Sequence, residues 1–453
     1  MDRELDREVM VPVTPRGFKD VLPEEARWRE SITTAVQGVL SSWGYAPIET
    51  PTLEVLEVLE QGGRLSETPF RLFDSDGALL VLRPDVTLPI ARLVASRLVA
   101  RNRTLGAGPT AQLGKGAGSS LGTGAGTNPG TAPNPTANPS ANAPLRFRYV
   151  QPVFREEESL RGQAREFTQI GIESIGPSDA AADAEVLLLL VDALKACGLK
   201  EFTIAICTVG VLRDLLAAIV NDGDATEEWR TAVLAACHKN NVVEVGRLAH
   251  DPRVDKRYGA ALQALLNLRG GAEAIEQCRA LVEPLGCTDG LSTLAQTYDI
   301  IAQVGAAPFV TVDFSVMSAF DYYTGLVFEA YAPRLGVALG SGGRYDRMLE
   351  HFGTKAPAAG FAFNLERVMF ALLEQGIAAG EGVARPCLNP VLIEAAHPAN
   401  AFIEAARLRA QGKNVVLVRS EPEEDAVASA AAPMTEATPH PLRPPLEDAE
   451  GER

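Results

Sequence analysis

The pattern of apolar and polar residues predicts a long first helix over residues 23–43. Pro23 pre-sets the geometry of a first helical turn, and Glu24 and Glu25 favour the positive end of a helix. Gly44 follows the last turn, where glycine commonly ends a helix. A short extended segment is expected next, so the chain opens as a helix that leads into a strand.

Further along, alternating and continuous apolar runs predict short strands, and longer periodic runs predict helices. Asp76-Gly77 is typical of a hairpin turn. Residues 215–305, approximately, are expected to be mostly helical and carry no evident chemistry. Strands are predicted over 45–50, 72–82 (a hairpin), 145–176 (two strands), 201–207, 309–313, 325–331 and 336–341; helices over 88–101, 179–196 and 357–375; and a β-α-β unit over 391–395, 398–411 and 414–418.

The domain organisation follows from shifts in composition. Residues 1–11 are charged and are expected to be frayed. Residues 104–144 consist largely of Gly, Ala, Thr, Asn and Pro, so they cannot bury enough apolar area to offset an ordering entropy of roughly 1–2 kcal/mol per residue. We therefore expect a disordered insertion within one large domain, 12–376. A truncated α/β unit, 385–419, and a disordered acidic tail, 420–453, follow.

Charge and cysteine content narrow the function classes. Among 453 residues there are 42 Lys and Arg and 58 Asp and Glu, which gives a formal net charge of −16. This balance argues against broad affinity for nucleic acid or anionic membranes. The acidic first residues do not fit a signal peptide, and no apolar run reaches the roughly 20 residues of a membrane helix. The six cysteines form no C-x-x-C pair. We expect buried, reduced thiols in a cytoplasmic protein.

Two common kinds of site find no support. Gly108 and Gly114-Lys115 resemble a phosphate loop, but the spacing is one residue too long and Gly116 stands where Ser or Thr is needed. The five histidines show neither metal-ligand nor triad spacing. No metal and no cofactor are predicted.

The first informative polar cluster is Leu82-Arg83-Pro84-Asp85-Val86-Thr87, where a strand leads into a helix. Asp85 and Thr87 have two possible roles. Either side chain caps the helix, or both face a ligand.

The second cluster lies on two strands. Arg155 ends the first strand, and Gln169, Gly171 and Glu173 share one face of the second because strand side chains alternate. A polar pair around a glycine fits the floor of a binding cavity. The alternative is an ordinary solvent-facing sheet surface.

The third cluster is Asp321-Tyr322-Tyr323-Thr324-Gly325, although two adjacent tyrosines can simply pack. Together the clusters suit a small cationic or amino-acid ligand. Asp85 and Glu173 can hold an ammonium or imidazolium group. Gln169 and the tyrosine hydroxyls can orient it, and Arg155 can meet a carboxylate or phosphate. Residues 360–367, GFAFNLER, are expected to begin a helix, and the backbone N–H groups at its start suit an anion.

The order of these clusters resembles class II aminoacyl-tRNA synthetases. PRGFKDVLP with the first helix and the strand ending at Pro51 resembles their motif 1. FREEESLRGQAREFTQIGIE is similar to motif 2 in its histidyl form, GSGGRYDRML with GFAFNLERV to motif 3, and DYYTGLVFEAY to a histidine-specific segment. The resemblance covers about residues 12–376. It implies an α+β fold with a six-stranded antiparallel sheet flanked by helices, and self-association through motif 1.

Several departures from the synthetase pattern remove groups that adenylate formation needs. Ser318 stands where synthetases carry an arginine, and Glu158-Ser159 replaces the usual Arg-Pro of motif 2. Asn364 replaces a glycine of motif 3, and Asp85 replaces a glutamate. Losing one preorganised cation costs several kcal/mol of transition-state stabilisation. The C-terminal unit is also too short for a complete anticodon-binding domain.

This combination resembles the regulatory subunits of ATP phosphoribosyltransferase, which are paralogues of histidyl-tRNA synthetase without aminoacylation. The resemblance implies a non-catalytic protein in the first step of histidine biosynthesis. Its partner would be a short-form catalytic subunit in a hetero-oligomer, and histidine would be the effector. No tRNA partner is expected. Motif matching assigns the ligand cavity to Asp85, Thr87, Arg155, Gln169, Glu173, Tyr322 and Tyr323, and residual nucleotide contacts to Arg155 and Arg367.

Two other functions stay open from the sequence. One is an active histidyl-tRNA synthetase, since Arg155 and Arg367 can hold ATP phosphates. The other is a synthetase-like protein with a different task. The sequence also leaves open whether the effector lies in the old amino-acid cavity or at the boundary with the catalytic subunit, and what the stoichiometry is.

Overall fold

The computed structural model divides the chain into two compact units, Met1–Ala384 and Arg385–Arg453. The structure describes residues 14–62, 68–99, 144–156, 164–223, 225–239, 241–316 and 322–377, and in the second unit 391–394, 404, 406–408, 410–411 and 415–418.

Helices and strands alternate along the first unit, and the second contributes one pair of strands. The helices are α1 (Pro23–Ser42), α2 (Leu56–Gln61), α3 (Thr87–Leu93), α4 (Ala180–Ala196), α5 (Val209–Asp222), α6 (Glu227–His238), α7 (Val242–Ala249), α8 (Lys256–Leu265), α9 (Ala272–Val282), α10 (Leu291–Gln303) and α11 (Leu365–Glu374). The strands are β1 (Ala46–Pro47), β2 (Leu53–Val55), β3 (Arg71–Phe73), β4 (Leu79–Leu82), β5 (Leu145–Phe154), β6 (Glu166–Ile175), β7 (Thr203–Thr208), β8 (Arg269–Gly270), β9 (Val310–Asp313), β10 (Leu326–Tyr331), β11 (Gly340–Arg344), β12 (Ala358–Asn364), β13 (Val391–Glu394) and β14 (Val415–Val418).

Helix α1 has the predicted bounds and a buried stripe. Its buried residues recur every fourth position, which places them on one helical face. Gly44 has φ of 84°, the left-handed conformation that lets the chain leave the helix. The buried stripe consists of Trp28, Ile32, Val36 and Leu40.

The large sheet contains the antiparallel core that the resemblance implies. Six strands pair antiparallel in the order β5-β6-β12-β11-β10-β7. Three short strands extend this core: β1 pairs parallel with β5, β9 pairs parallel with β7, and β8 pairs antiparallel with β9. The predicted α+β fold class is confirmed.

The two faces of the sheet have different neighbours. Ile170 and Ile172 of β6 pack with α1 and α4 in the main hydrophobic core. A second core on the other face includes Tyr149, Val153 and Tyr345, together with residues of β4 and α3. Alternation along β6 therefore points Gln169 and Glu173 away from the helical layer.

A three-stranded sheet in the order β2-β4-β3 accompanies this second core. Strands β3 and β4 form the predicted hairpin, in which Gly77 adopts φ of 89°. Val81 is fully buried, whereas Leu53, Val55 and Leu72 are about two-fifths exposed. One face of the small sheet is therefore apolar and open.

Three predicted element bounds are wrong. Residues 358–364 form strand β12 instead of the start of a helix over 357–375. This strand is paired on both sides and is mostly buried, so its sequence shows no alternation. Strand β11 begins at Gly340 instead of residue 336, because its glycines give no apolar period. The helix predicted over 88–101 is α-helical only to Leu93 and continues as a π-helix over Val94–Val99.

Several sequence features lie outside the described residues. They include the frayed start over 1–11, most of the insertion over 104–144, the tail over 420–453, Glu158-Ser159, Ser318, Asp321 and Cys387. In the second unit, β13 and β14 pair in parallel, and described residues between them are helical.

The five described cysteines are buried, as predicted. Burial raises the pKa of the Cys237 thiol to about 11, so this thiol stays protonated at neutral pH. Within the ranges that the structure covers, no helix is both long and apolar enough to cross a bilayer.

A buried ion pair joins the sheet to α4. Arg344 of β11 donates from Nε and Nη2 to Asp183 Oδ1 at 2.8 and 2.6 Å. The two side chains are only 6% and 2% exposed. Arg344 Nη1 also donates to the Pro177 carbonyl and to Asp346, each at 3.1 Å.

We predict that Asp183→Ala lowers the free energy of unfolding by about 3–5 kcal/mol, because it leaves a buried guanidinium without its main partner. Urea denaturation of the full chain measures the change. Glu244→Ala is the control, since it breaks only an exposed ion pair with Arg247 and should change the free energy of unfolding far less. Equal costs for the two variants would show that the buried pair is not structural.

Candidate ligand cavity

A cavity of about 200 Å³ opens on the sheet face opposite α1 and α4. Strands β6, β10, β11 and β12 contribute residues to its lining, and the segment before α3 and the tyrosines before β10 complete it. The cavity is lined by Asp85, Thr87, Arg155, Phe167, Gln169, Glu173, Tyr322, Tyr323, Glu329, Ala338, Leu339, Gly340, Ser341, Gly342, Tyr345, Gly360, Phe361, Ala362, Phe363, Asn364 and Arg367.

The structure brings together every site residue that the sequence singled out. These residues come from separate parts of the chain and meet in this one cavity. They are Asp85, Thr87, Arg155, Gln169, Glu173, Tyr322, Tyr323 and Arg367.

Glycine keeps the middle of the sheet open beside these side chains. A Cβ on Gly360 would lie 2.2 Å from Glu173 Oε2 and 3.0 Å from Tyr345 Oη. A Cβ on Gly171 would lie 2.5 Å from Tyr149 Oη. The polar side chains can therefore lie directly against the bare backbone of β6 and β12.

Glu173 is the most deeply buried carboxylate of the cavity, at 2% exposure. Its Oε1 accepts a hydrogen bond from Thr87 Oγ1 at 2.8 Å. Burial raises the pKa of Glu173 to about 8, and the Thr87 hydrogen bond only partly opposes this. The carboxyl group is therefore largely protonated at neutral pH until a cation joins it.

Asp85 supports a helix start and also lies in the cavity lining. Its Oδ1 accepts a hydrogen bond from the Leu88 backbone N–H at 3.0 Å, so it supports the start of α3. It also lines the cavity. Burial raises its pKa above the usual aspartate range, while the Leu88 hydrogen bond and the nearby Arg155 charge act in the opposite direction.

Three buried polar atoms around the cavity have no hydrogen-bond partner among the described residues. They are Gln169 Oε1, Glu173 Oε2 and Tyr345 Oη. An unsatisfied buried acceptor costs free energy. A ligand that brings N–H donors to Gln169 and Glu173 would recover this cost.

Three tyrosines form an aromatic wall. The ring centroid of Tyr322 lies 4.8 Å from that of Tyr323 and 5.8 Å from that of Tyr345. Burial raises the pKa of the Tyr322 and Tyr323 phenols, so both stay neutral. Such a wall suits a flat or cationic group.

Two arginines add positive charge to the lining. Arg155 lies over the Phe167 ring, with Cζ 4.9 Å from the centroid, and its Nε donates to the Pro84 carbonyl at 3.3 Å. Arg367 Nη1 donates to the Ala338 carbonyl at 2.8 Å. Both can approach a carboxylate or phosphate.

The anion site predicted over 360–367 is only partly consistent with the structure. Residues 360–364 are strand, and α11 begins at Leu365. The first turn is already capped, because Asn364 Oδ1 accepts a hydrogen bond from the Arg367 backbone N–H at 2.9 Å. The side chain that replaces a synthetase glycine thus caps a helix and lines the cavity.

Sequence reasoning missed Glu329 and Tyr345 as lining residues. Glu329 is the one charged residue in the apolar strand LVFEAY, and this isolated charge could have indicated a residue that faces a cavity. Burial raises its pKa, and its carboxylate accepts a hydrogen bond from the Tyr331 hydroxyl. No cluster of three or more potential metal-ligating side chains occurs within the described ranges.

Comparison with known proteins identifies relatives over most of the chain. A sequence model of the histidyl-tRNA synthetase family matches residues 17–111 and 110–368. The ATP phosphoribosyltransferase regulatory subunit of Halalkalibacterium halodurans is 33% identical over 404 residues, which is 89% of each protein. That of Bacillus subtilis is 31% identical over 407 residues, 89% of this chain and 90% of the relative.

Solved structures agree with this assignment. A crystal structure of an ATP phosphoribosyltransferase regulatory subunit/histidyl-tRNA synthetase from Bacillus halodurans matches with a TM-score of 0.71 and 32% identity, covering 90% of this chain and 92% of that one. Histidyl-tRNA synthetase from Nostoc sp. PCC 7120 matches with a TM-score of 0.65 at 20% identity, covers 91% of this chain and 86% of that one, and supports the fold alone. The chain therefore belongs to the ATP phosphoribosyltransferase regulatory subunits, a family with the histidyl-tRNA synthetase fold.

Proposed function

We propose that this chain is the non-catalytic, cytoplasmic subunit that regulates a short-form ATP phosphoribosyltransferase in the first step of L-histidine biosynthesis. Free histidine, bound in the cavity, is the feedback effector. Coupling of about 1–3 kcal/mol between histidine and the activity of the partner would suffice for feedback. Transfer RNA is not a partner in this proposal.

The departures from the synthetase motifs support a non-catalytic role. Adenylate formation builds negative charge at an α-phosphate, and Ser318 and Glu158-Ser159 stand where synthetases carry cations. Asn364 adds a side chain where synthetases have glycine. The family names of the relatives point the same way.

The observation that carries the effector proposal is one cavity lining that contains the buried carboxyl group of Glu173, the carboxyl group of Asp85 and the amide oxygen of Gln169. Asp85 and Glu173 can receive an ammonium group or an imidazole N–H, and Gln169 Oε1 has no other hydrogen-bond partner in the described structure. Arg155 lies in the same lining and suits the carboxylate of an amino acid. One histidine supplies all of these complementary groups.

Self-association through motif 1 is part of the proposal. The small sheet follows motif 1 directly, and Leu53, Val55 and Leu72 lie exposed on one of its faces. We expect Val55→Glu to shift the isolated chain toward monomer in sedimentation velocity, because it places a charge in a buried apolar contact. Val243→Glu, at an 85% exposed position on α7, is the control and should change nothing. An unchanged oligomer in Val55→Glu would argue against this interface.

The main test of function is reconstitution with a catalytic subunit. We predict that the chain co-purifies with a short-form ATP phosphoribosyltransferase, and that activity rises at least tenfold when the chain is added. Histidine should inhibit the complex. A complex without any gain in activity would contradict the proposal.

An active histidyl-tRNA synthetase is the second candidate, because Arg155 and Arg367 still line the cavity. Histidine-dependent pyrophosphate exchange distinguishes the two functions. Our proposal expects none, and robust exchange by the chain alone would favour the synthetase.

Calorimetry at several pH values tests the effector site. Glu173 has a pKa of about 8 in the free cavity and must lose its proton to hold a cation. Histidine affinity should therefore rise between pH 6 and about pH 8, with proton release that appears as a buffer-dependent heat. Glu173→Gln should weaken binding about tenfold and flatten this pH dependence.

Glu276→Gln is the matched control, since Glu276 is an exposed helix residue that pairs with Arg279. It should bind histidine as the original chain does. Equal heats for Glu173→Gln and the original chain, or none from either, would reject the cavity as the effector site. If histidine then still inhibited the complex, the effector would lie at the subunit boundary.

A further inference from the structure

A second cavity of about 170 Å³ lies where α5 and α6 meet the ends of β7 and β9. Among its described lining residues, only Tyr323 also lines the cavity proposed for histidine. Its described lining consists of Cys207, Thr208, Val209, Leu212, Arg213, Leu216, Arg230, Leu234, His238, Leu265, Phe314, Val316 and Tyr323.

The spacing of residues along α5 and α6 explains why basic side chains and leucines line the same cavity. Arg230, Leu234 and His238 are four residues apart on α6, so they form one stripe along the helix. On α5, Leu212 and Leu216 are likewise one turn apart, and Arg213 lies next to them. Both helices thus present an apolar surface bordered by basic side chains.

The charge of the lining is opposite to that of the rest of the molecule. The chain carries a net charge of −16. None of the described residues that line this cavity is acidic, and three of them, two arginines and a histidine, are basic. The cavity proposed above for histidine, here called the histidine-site cavity, contains three acidic residues, Asp85, Glu173 and Glu329, as well as two arginines.

The two arginines of the lining form ion pairs with carboxylates that are partly exposed to solvent. Arg230 donates from Nη1 to Glu227 at 3.4 Å, with the two side chains 32% and 67% exposed. Arg213 forms an ion pair with Asp289, and the two side chains are 42% and 50% exposed. Such exposed pairs contribute little and can be exchanged for a better partner. The His238 ring has no hydrogen-bond partner among the described residues.

We propose that this second cavity binds a small organic anion with an apolar body. The carboxylate or phosphate of the anion lies against Arg230, Arg213 and His238. Its apolar body packs between the leucines and Phe314. Small-molecule sites typically have mostly apolar walls and a few polar groups that converge on the ligand.

Histidine itself is a poor occupant of this cavity. Its ammonium group would meet three basic side chains and no carboxylate of the lining. The leucine surface also offers no acceptor for an imidazole N–H. The second cavity is therefore a site for a different ligand, and its occupancy does not depend on the function proposed above.

The test uses 3-phenylpropionate as the probe and the neutral 3-phenylpropan-1-ol as its isostere, titrated into the full chain by ligand-observed NMR. The acid should bind at least tenfold more tightly than the alcohol. Arg230→Gln should weaken binding of the acid about tenfold, and binding of the alcohol much less, because one charge-assisted hydrogen bond is lost.

Arg279→Gln provides a closely matched control. Arg279 pairs with Glu276 three residues earlier, as Arg230 does with Glu227, and is similarly exposed at 35%. This variant should bind the acid normally. His238→Gln gives a second loss-of-binding variant on the same helical stripe.

Three outcomes would overturn the proposal. The first is equal affinity for the acid and the alcohol. The second is undiminished binding of the acid by both Arg230→Gln and His238→Gln. The third is binding that Glu173→Gln reduces but Arg230→Gln does not, since the probe would then occupy the histidine-site cavity. The assay needs neither histidine nor a catalytic subunit, so its failure leaves the proposed function untouched.

Discussion

The burial of Glu173 is the constraint on which the cavity proposed for histidine depends. A carboxyl group at 2% exposure, with one oxygen bonded to Thr87 and the other against the bare backbone of Gly360, is costly to ionise. The rest of the fold holds it there: β12 pairs on one side of β6, β5 on the other, and the helical layer covers the opposite face. A positively charged ligand beside Glu173 would offset this cost.

The local sequence pattern was enough to predict one wall of the cavity. Alternation along β6 placed Gln169, Gly171 and Glu173 on one face, and the register with β12 agrees with that placement. No local pattern could bring Tyr322 and Tyr323 to the same place, because they are about 150 residues away in sequence. Their approach was predictable only through the resemblance to a family of known fold.

Strand β12 and the position of Tyr345 could not be predicted from the sequence, and the reasons are physical. Strand β12 is buried between two neighbours and rich in alanine and glycine, so it has neither a strand nor a helix period. The same small residues leave the space that the ligand would occupy. Tyr345 was missed because a lone aromatic residue after a strand gives no sign of the direction in which its side chain points.

Tyr323 lines both cavities, of which the first contains carboxylates and arginines and the second contains basic but no acidic side chains among the described lining residues. A ligand in one cavity that displaced this ring would change the shape of the other cavity. Thermodynamic linkage makes any such effect reciprocal: whatever factor the first molecule imposes on the affinity of the second, the second imposes on the first. Because Tyr323 belongs to both linings, a substitution at this one position would alter both cavities at once.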